Sequence, residues 1–289
     1  MDKQLRVLMI GAHPDDCDFS AGGTAVKYAR LGHKVKFISV CNGCCGHHEM
    51  TCEETAKRRK GETAAVAKTA GIEYDVWDIN DCEAEATLEN RKKMIREIRK
   101  FRPDIIFTCR NNDYHADHRN TALLVQDAAY LLIVPHFCED VPALSEMPVI
   151  MNFYDRFKNP PFVPEIIVDI DDAIDKKFEI MDCHVSQVYE WLPYSKNAQM
   201  PSADEDRLAW LKGEKVPRDR VLSLDEIMSA NYTNGHCEYR EAQCAARYRD
   251  KLIERYGEKG KKVIFAECFG ISEYGTQLNE ENKKVLFPF

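Results

Sequence analysis

Three side chains able to bind a metal ion or carry a proton lie within four positions of one another, in the stretch GAHPDD. His13, Asp15 and Asp16 directly follow LRVLMI, which is apolar and long enough to be a buried strand. One carboxylate at this point would serve to cap the next helix, whereas two carboxylates and an imidazole together are typical of a site. Because a proline turn separates them, His13 and Asp16 can both reach a single ion.

A second cluster of acids and histidines lies in the stretch CRNNDYHADHRN, which contributes His115, Asp117 and His118. Catalytic zinc favours three protein ligands from His, Asp or Glu and keeps a further position for water. The H-x-x-H spacing therefore offers either His115 or His118 as a third ligand beside His13 and Asp16. The plainer alternative is a helix cap in the first stretch and a polar surface loop in the second.

Segments typical of strands and helices alternate through the first half of the chain. Strand candidates lie at 6–12, 34–42, 74–79 and 104–110, and helix candidates at 19–32, 53–71, 88–101 and 119–133. This alternation predicts a Rossmann-like three-layer α/β/α fold with a mostly parallel sheet. In a doubly wound sheet the first and fourth strands are neighbours at the point where the strand order reverses. The two clusters, which follow these two strands, are therefore expected to meet.

We predict a single α/β domain over 1–289, with a Rossmann-like core at 1–135 and an extension at 136–289 that completes the pocket wall. The less regular second part holds strand and helix candidates at 149–154, 165–170, 171–187 and 240–256. An aromatic loop at 187–206 is expected to wall the site. It also offers a surface for contact between copies of the chain, as in a homo-oligomer.

The charge and hydropathy of the chain exclude several classes of function. With 48 acidic and 40 basic residues the formal charge is −8, so a general nucleic-acid surface is not expected. No segment approaches the roughly 18 apolar residues that a membrane helix needs. The N-terminal stretch is typical of a first strand rather than of a signal peptide. We therefore predict a cytoplasmic protein with no membrane span and no nucleic-acid partner.

The twelve cysteines are scattered along the chain, and most are expected to be free thiols in a reducing compartment. The stretch CNGCC contains a C-x-x-C spacing, which is typical of structural zinc sites. No second close pair follows it in the sequence, so unliganded thiols are the favoured interpretation.

The motifs AHPDD and HADH resemble those of the LmbE/PIG-L family, zinc-dependent enzymes that deacetylate N-acetylglucosamine derivatives. The stretch RRKGETAAVAKTAG is similar to that family's R-x-x-E helix. KFEIMDCHVSQ is similar to its pattern of lysine, histidine and Ser-Gln, and AECFGISEYG to its terminal segment. The resemblance therefore spans nearly the whole chain.

The resemblance implies that His13, Asp16 and His118 bind one Zn²⁺ ion per chain and that Asp15 is the general base. Amide hydrolysis agrees with this assignment, because it needs a polarised carbonyl, an activated water and a proton for the departing nitrogen. A carboxylate that does not bind the metal can take the proton of the water, which gives two adjacent aspartates separate uses.

The same resemblance implies roles for residues around the metal. His115 would stabilise the oxyanion or protonate the leaving amine, and Asp117 would hold His115. Arg59 matches a family arginine that contacts substrate, although Arg59 on a solvated, charged helix face is the plainer alternative. Asp81, in the loop after the third strand, is a further candidate for binding sugar hydroxyls.

Two positions depart from the family pattern. Cys17 stands where glutamate usually follows HPDD, and Ala116 stands where proline is common. We expect Cys17 to be a buried neutral thiol, since the set of three ligands is complete without it.

Together these observations predict a zinc-dependent N-deacetylase acting on a small-molecule conjugate of an N-acetylglucosamine-type amino sugar. A metal-dependent hydrolase of another amide or ester is the nearest alternative. A non-catalytic metal-binding protein is another, but it leaves Asp15 and His115 without a purpose. A dinucleotide-binding protein is excluded, because GAHPDD replaces G-x-G-x-x-G and its acidic turn would repel a pyrophosphate.

Overall fold

The structure of the protein, a computed structural model, describes residues 3–202, 206–230 and 237–289. The seven strands of these described ranges belong to one sheet, with the order β3-β2-β1-β4-β5-β7-β6. The strands are β1 (Arg6–Gly11), β2 (Lys34–Ser39), β3 (Glu73–Val76), β4 (Ile105–Thr108), β5 (Val149–Phe153), β6 (Ile166–Asp169) and β7 (Ala266–Ile271).

The sheet is parallel from β3 to β5, while β7 runs antiparallel to both β5 and β6. The predicted α/β fold with a mostly parallel sheet is confirmed. So is the pairing of β1 with β4, in which Val7 lies opposite Ile105 and Ile10 opposite Thr108. Because β5, β6 and β7 join the same sheet as β1 to β4, the boundary at residue 135 does not separate two sheets; as a functional division it stays a prediction.

The helices of the described ranges cover the two faces of this sheet. They are α1 (Asp16–Arg30), α2 (Cys52–Ala70), α3 (Leu88–Phe101), α4 (Ala116–Leu131), α5 (Ile174–Asp182), α6 (Leu192–Ser195), α7 (Arg207–Lys212), α8 (Leu224–Ser229), α9 (Glu238–Arg247), α10 (Arg249–Tyr256) and α11 (Glu280–Leu286). A π-helical turn (Ser186–Trp191) and a 3₁₀ turn (Gly257–Lys261) complete them. No helix in the described ranges has the length and apolar character that crossing a membrane requires.

The alternation of side chains along β1 explains why the sheet is covered on both faces. Val7 and Met9 point into one apolar layer, and Leu8 and Ile10 point into the other. All four side chains are fully buried. A strand that is buried on both faces has apolar side chains at consecutive positions. This is why the apolar run LRVLMI predicts a strand.

Three local predictions were wrong. Helix α1 begins at Asp16 rather than at residue 19, and the predicted helix at 240–256 is two helices that meet at Tyr248. Much of the predicted loop at 187–206 is helical, because Ser186–Trp191 and α6 follow one another without a break. Residues 203–205 of that loop lie outside the described residues, and its use as a contact between copies of the chain stays a prediction.

Helix α1 contains a kink that matters for the site at its first turn. Ala21 has non-helical dihedrals (φ −146°, ψ 15°), so the backbone N–H groups after it lose their partners within the helix. The Glu267 carboxylate accepts two of them, from Gly23 at 2.9 Å and from Thr24 at 2.7 Å. A side chain of β7 thus caps the second half of the helix that begins with Asp16.

Candidate metal and catalytic site

The two acid and histidine clusters lie side by side at the carboxyl edge of the sheet. His13 lies in the turn between β1 and α1, Asp16 is the first residue of α1, and His118 lies in the first turn of α4, which follows β4. The Nδ1 atom of His13 lies 3.2 Å from Nε2 of His118. Since β1 and β4 are parallel neighbours, their ends deliver both clusters to one place.

Three atoms of these residues form a triangle with nearly equal sides. Besides the 3.2 Å between the imidazoles, the Oδ2 atom of Asp16 lies 3.7 Å from Nδ1 of His13 and 3.4 Å from Nε2 of His118. Ligands about 2.0–2.1 Å from a tetrahedral zinc ion are about 3.3–3.4 Å apart. The residues therefore fit a zinc ion in number, type and separation.

Two further groups of potential ligand atoms also include His13. One adds His115 and Asp117, and the other adds Cys41 and Asp81. Backbone hydrogen bonds do not separate the three groups, because Asp16, Asp81 and Asp117 each accept two backbone N–H groups. The triangle of His13, Asp16 and His118 is favoured because its separations of 3.2, 3.4 and 3.7 Å are close to those of ligands on one zinc ion.

Each imidazole of the triangle is held by a carboxylate at its other nitrogen. Asp117 Oδ2 lies 3.0 Å from Nε2 of His13, and Asp113 Oδ2 lies 3.1 Å from Nδ1 of His118. Such outer carboxylates fix the ring orientation and the tautomer of metal-binding histidines. Sequence reasoning missed Asp113; the signal available was a carboxylate in the same loop after β4 that carries HADH.

The position of Asp117 differs from the interpretation of the sequence. Its carboxylate is fully buried and accepts the Cys82 N–H at 2.7 Å, and its nearest imidazole belongs to His13. His115 is farther away, with Nδ1 3.8 Å from Asp117 Oδ2. Asp117 therefore holds a candidate metal ligand more closely than it holds His115.

The electrostatics of the triangle favour a cation. Burial raises the pKa of Asp16, but His118, His13 and the backbone N–H of His13 outweigh it and leave that pKa below its usual range. Burial lowers the pKa of His118, but Asp16 and Asp113 reverse the effect and raise it. The carboxylates that attract a proton to this imidazole also attract a metal cation, which then takes the place of the proton.

His115 is arranged as a neutral hydrogen-bond donor. It is the N-cap residue of α4, and its Nδ1 accepts the backbone N–H of Asp117 at 3.2 Å. The remaining proton of the neutral ring must therefore be on Nε2. Burial lowers the pKa of His115, and the nearby His13 and His118 lower it further, so the neutral form is favoured.

Asp15 lies between the metal triangle and a buried arginine. Asp15 is buried, with 8% of the residue exposed, and its Oδ2 accepts a hydrogen bond from Nη2 of Arg59 at 2.9 Å. Burial raises the pKa of Asp15, while the Arg59 guanidinium limits the rise. Arg59 also donates to the carbonyl oxygen of Pro14 at 3.0 Å, so it holds the turn as well as the carboxylate.

The sequence predicts substrate contacts for Arg59 and Asp81, but the structure places both inside the protein. They are 2% and 6% exposed, and Arg59 is directed at Asp15 rather than at solvent. Asp81 accepts the N–H groups of Gly43 at 2.8 Å and Cys45 at 3.2 Å. Both geometries suit residues that position the site, and direct substrate contact by Arg59 or Asp81 stays a prediction.

The loop after β2 packs closely against the side chain of Arg59 and holds it in place. Gly43 has a φ of +79°, and a Cβ atom there would lie 2.5 Å from Cδ of Arg59. The π-helical turn is held by two side-chain contacts. Gln187 donates to the carbonyl oxygen of Gly46, in the loop after β2, at 2.9 Å. Glu62, three positions after Arg59, accepts both the backbone N–H and the side-chain O–H of Ser186 at 2.7 Å. The R-x-x-E and Ser-Gln patterns therefore serve as scaffold.

A cavity of about 450 Å³ opens beside the triangle. Asp16, Asp113 and His118 line it, together with Arg240 and Lys177. This volume lies within the usual range for small-molecule sites, about 300–1,000 Å³. The cavity is therefore large enough to bring part of a sugar conjugate to the candidate metal site.

Cys17, which replaces the usual glutamate, is fully buried under the site. Burial raises the pKa of its thiol well above the ordinary value, and Asp18 and Asp16 add to the rise. A Cβ atom on Gly11 would lie 3.3 Å from its Sγ, so the thiol packs against the end of β1. This position agrees with the neutral packing role expected for Cys17.

Comparison with known proteins places this arrangement in a family. Residues 8–129, which include both clusters, match the family described as PIG-L, GlcNAc-PI de-N-acetylase. The chain is 30% identical over 203 residues to a diacetylchitobiose deacetylase of Thermococcus kodakarensis, an alignment that covers 65% of this chain and 74% of that protein.

Two solved structures share the fold at lower identity. The N,N'-diacetylchitobiose deacetylase of Pyrococcus horikoshii superposes with a TM-score of 0.65 at 22% identity, over 92% of this chain and 83% of that one. GalB of Pseudomonas putida, a 4-carboxy-2-hydroxymuconate hydratase, superposes with a TM-score of 0.66 at 16% identity, over 94% and 98%. A deacetylase and a hydratase share this architecture, so the fold alone does not decide the reaction. The family match and the relative at 30% identity do: the chain belongs to the PIG-L (LmbE-like) family of de-N-acetylases, which are hydrolases.

Proposed function

We propose that this deacetylase removes the acetyl group from an N-acetylglucosamine-type amino sugar within a small conjugate, using one zinc ion held by His13, Asp16 and His118. The near-equilateral triangle of their ligand atoms carries the proposal. The name of the Thermococcus relative, a diacetylchitobiose deacetylase, supports an amino-sugar amide as substrate.

Zinc held by His13, Asp16 and His118 would supply Lewis acidity, which would polarise the amide carbonyl and lower the pKa of water towards about 7. The side chains do the rest. Asp15, adjacent to Asp16 but directed at Arg59, takes the proton of the attacking water as general base. His115 donates its Nε2–H to the oxygen on which negative charge develops. Arg59 and Asp117 act as positioning residues for Asp15 and His13.

The proposal is tested with the purified chain, stripped by a chelator and assayed with and without restored zinc. N,N'-diacetylchitobiose and N-acetylglucosamine conjugates are the substrates, and release of free amine is the measurement. Activity is expected on amino-sugar amides when zinc is present and is expected to vanish when zinc is removed. Equal activity on an N-acetyl-lysine peptide or an O-acetyl sugar would favour the alternative, a hydrolase of other amides or esters.

Replacing Asp113 with asparagine is expected to weaken zinc affinity by about 10–100-fold. Asp113 accepts the backbone N–H of His115 at 2.8 Å, and the asparagine side chain can still accept it. Asparagine offers no negative charge, however, to Nδ1 of the His118 imidazole. Competition with a chromophoric chelator measures the affinity. Asp127→Asn is the matched control on α4, because Asp127 pairs with Arg91 away from the site. Unchanged affinity in Asp113→Asn would contradict the assignment of His118 as a ligand.

A further inference from the structure

A second cavity lies next to the one that opens beside the metal triangle. Its volume of about 440 Å³ is within the usual range for small-molecule sites, about 300–1,000 Å³. Cys109 and Arg110, at the end of β4, line both cavities. The loop that follows contributes Asn111 and Asn112 to the second cavity and Asp113 to the first. The two cavities are therefore neighbours that share a wall.

Side-chain amides are the main polar groups of the second cavity. Five amides and one tyrosine ring line it: Asn111, Asn112, Gln126, Asn152, Asn159 and Tyr274. We call it the amide cavity. Its charged groups among the described residues are exposed Glu273 and Arg110, whose Nη2 lies 2.7 Å from Asp155. Because this guanidinium is already paired, the amide cavity is close to neutral.

The amides are oriented by hydrogen bonds that leave part of each group for a ligand. Nδ2 of Asn152 donates to the carbonyl oxygen of Cys109 at 3.0 Å, so the Asn152 oxygen is left as an acceptor. Nδ2 of Asn111 donates to Oε1 of Gln126, which leaves the Asn111 oxygen as an acceptor and the Gln126 nitrogen as a donor. The amide cavity therefore offers both donors and acceptors in fixed positions.

Contacts with the rest of the fold hold the segments that carry this lining. Arg110 donates to the carbonyl oxygen of Pro160 at 3.2 Å, next to Asn159. The Ser272 N–H donates to the carbonyl oxygen of Ile150 in β5 at 2.9 Å, and the Ser272 hydroxyl accepts the Tyr274 N–H at 3.2 Å. A cavity with walls already fixed loses less conformational entropy when a ligand binds.

The chemistry of the lining selects one class of ligand. An anionic group would need an unpaired cation, and Arg110 is committed to Asp155. An apolar group would bury the amides without hydrogen-bond partners, which is costly. A neutral sugar suits both features of the cavity: its hydroxyls pair with amide donors and acceptors, and its C–H face can pack on an aromatic ring. Tyr274, which is 45% exposed, presents such a ring.

We propose that the amide cavity binds a neutral saccharide unit of the conjugate, adjacent to the amino sugar whose acetyl group reaches the metal triangle. The wall of Cys109 and Arg110 that the two cavities share supports binding of neighbouring units of one substrate. This inference rests on the proposed function, because it names the remaining part of the same substrate. Tyr274 and Gln126 are then specificity residues rather than catalytic ones.

The test is the dependence of kcat/KM on the number of sugar units. Zinc-loaded full-length protein is assayed for free-amine release from N-acetylglucosamine, N,N'-diacetylchitobiose and N,N',N''-triacetylchitotriose. Wild type is expected to favour the longer substrates. Tyr274→Ala is expected to lower the ratio of kcat/KM for the trisaccharide to that for the monosaccharide by about tenfold, the effect of losing one aromatic contact. Gln126→Ala should lower the same ratio.

Tyr130→Ala is the matched control and should keep the wild-type ratio. Tyr130 is also an exposed tyrosine, but it lies on α4 outside the lining of the amide cavity. Thermal unfolding checks that all three variants are folded. A wild type that gains nothing from added sugar units, or a ratio unchanged in both Tyr274→Ala and Gln126→Ala, would overturn the assignment of the amide cavity and leave the proposed function intact.

A binding measurement separates this inference from the proposed function. Metal-stripped protein is titrated calorimetrically with triacetylchitotriose, so that affinity is measured without hydrolysis. Tyr274→Ala is expected to bind about tenfold more weakly than wild type or Tyr130→Ala. If zinc-loaded wild type deacetylates none of the three sugars, the proposed function fails, and this affinity difference still decides the amide cavity. Equal affinity in wild type and Tyr274→Ala would refute a saccharide site there.

Discussion

Replacing Asp15 with asparagine is expected to lower kcat for deacetylation by about 10²–10⁴-fold, the usual contribution of general-base catalysis. Asparagine is the same size and can still accept the hydrogen bond that Arg59 donates at 2.9 Å, so the turn should keep its shape. It cannot take a proton from water. KM should change little, because the lost interaction belongs to the transition state.

The Asp15→Asn variant should retain its metal and its melting temperature, which separates catalysis from binding. Steady-state kinetics, metal analysis and thermal unfolding are measured together, with Asp172→Asn, an exposed carboxylate paired with Lys27, as the control. His115→Ala should show a comparable loss of kcat with metal retained. If Asp15→Asn loses its metal, Asp15 and Asp16 have exchanged roles. If it keeps both metal and full activity, the proposed mechanism is wrong.

Replacing Lys177 with methionine is expected to lower the free energy of unfolding by about 3–5 kcal/mol. Lys177 is 1% exposed, and its Nζ lies 2.6 Å from Glu241 and 2.8 Å from Glu267. Its pKa is raised, because the attraction of the two carboxylates outweighs the burial that would lower it. Without the ammonium group, two buried carboxylates face each other unpaired.

Denaturant unfolding of wild type and Lys177→Met under the same buffer conditions measures this loss. Lys176→Met is the matched control: Lys176 pairs with Glu179 at the surface of α5, where ion pairs contribute about 0–1 kcal/mol. A loss in Lys177→Met no larger than in the control would contradict the assignment of a buried ion triad.

The sequence was sufficient where chemistry and periodicity are local. HPDD and HADH each follow an apolar run, and the alternation of strands and helices makes β1 and β4 neighbours, so the meeting of the two clusters was predictable. The start of α1 was predicted less well. Because Asp15 ends the turn and Asp16 is already helical, the polar residues that look like a loop are in fact the first helical turn.

The positions that sequence reasoning missed are those decided by contacts between distant segments. Nothing local distinguishes buried Arg59 from its charged neighbours in KRRKGE, because its burial depends on the close approach of Gly43. Asp113 is different, because it lies in the same stretch as His118 and was missed although its carboxylate was a local signal.

The place of β7 between β5 and β6 has a consequence for the order of events during synthesis. In the described sheet β6 is an edge strand paired with β7, which lies far downstream in the chain. The first five strands can therefore pair early, but the outer edge of β5 stays open until Ala266–Ile271 leaves the ribosome. Open strand edges recruit other chains, so shortened proteins that end before this segment should aggregate instead of forming a smaller active unit. The second half of α1, the kinked helix that begins with Asp16, also stays without its cap until this segment is made, since Glu267 accepts its free backbone N–H groups.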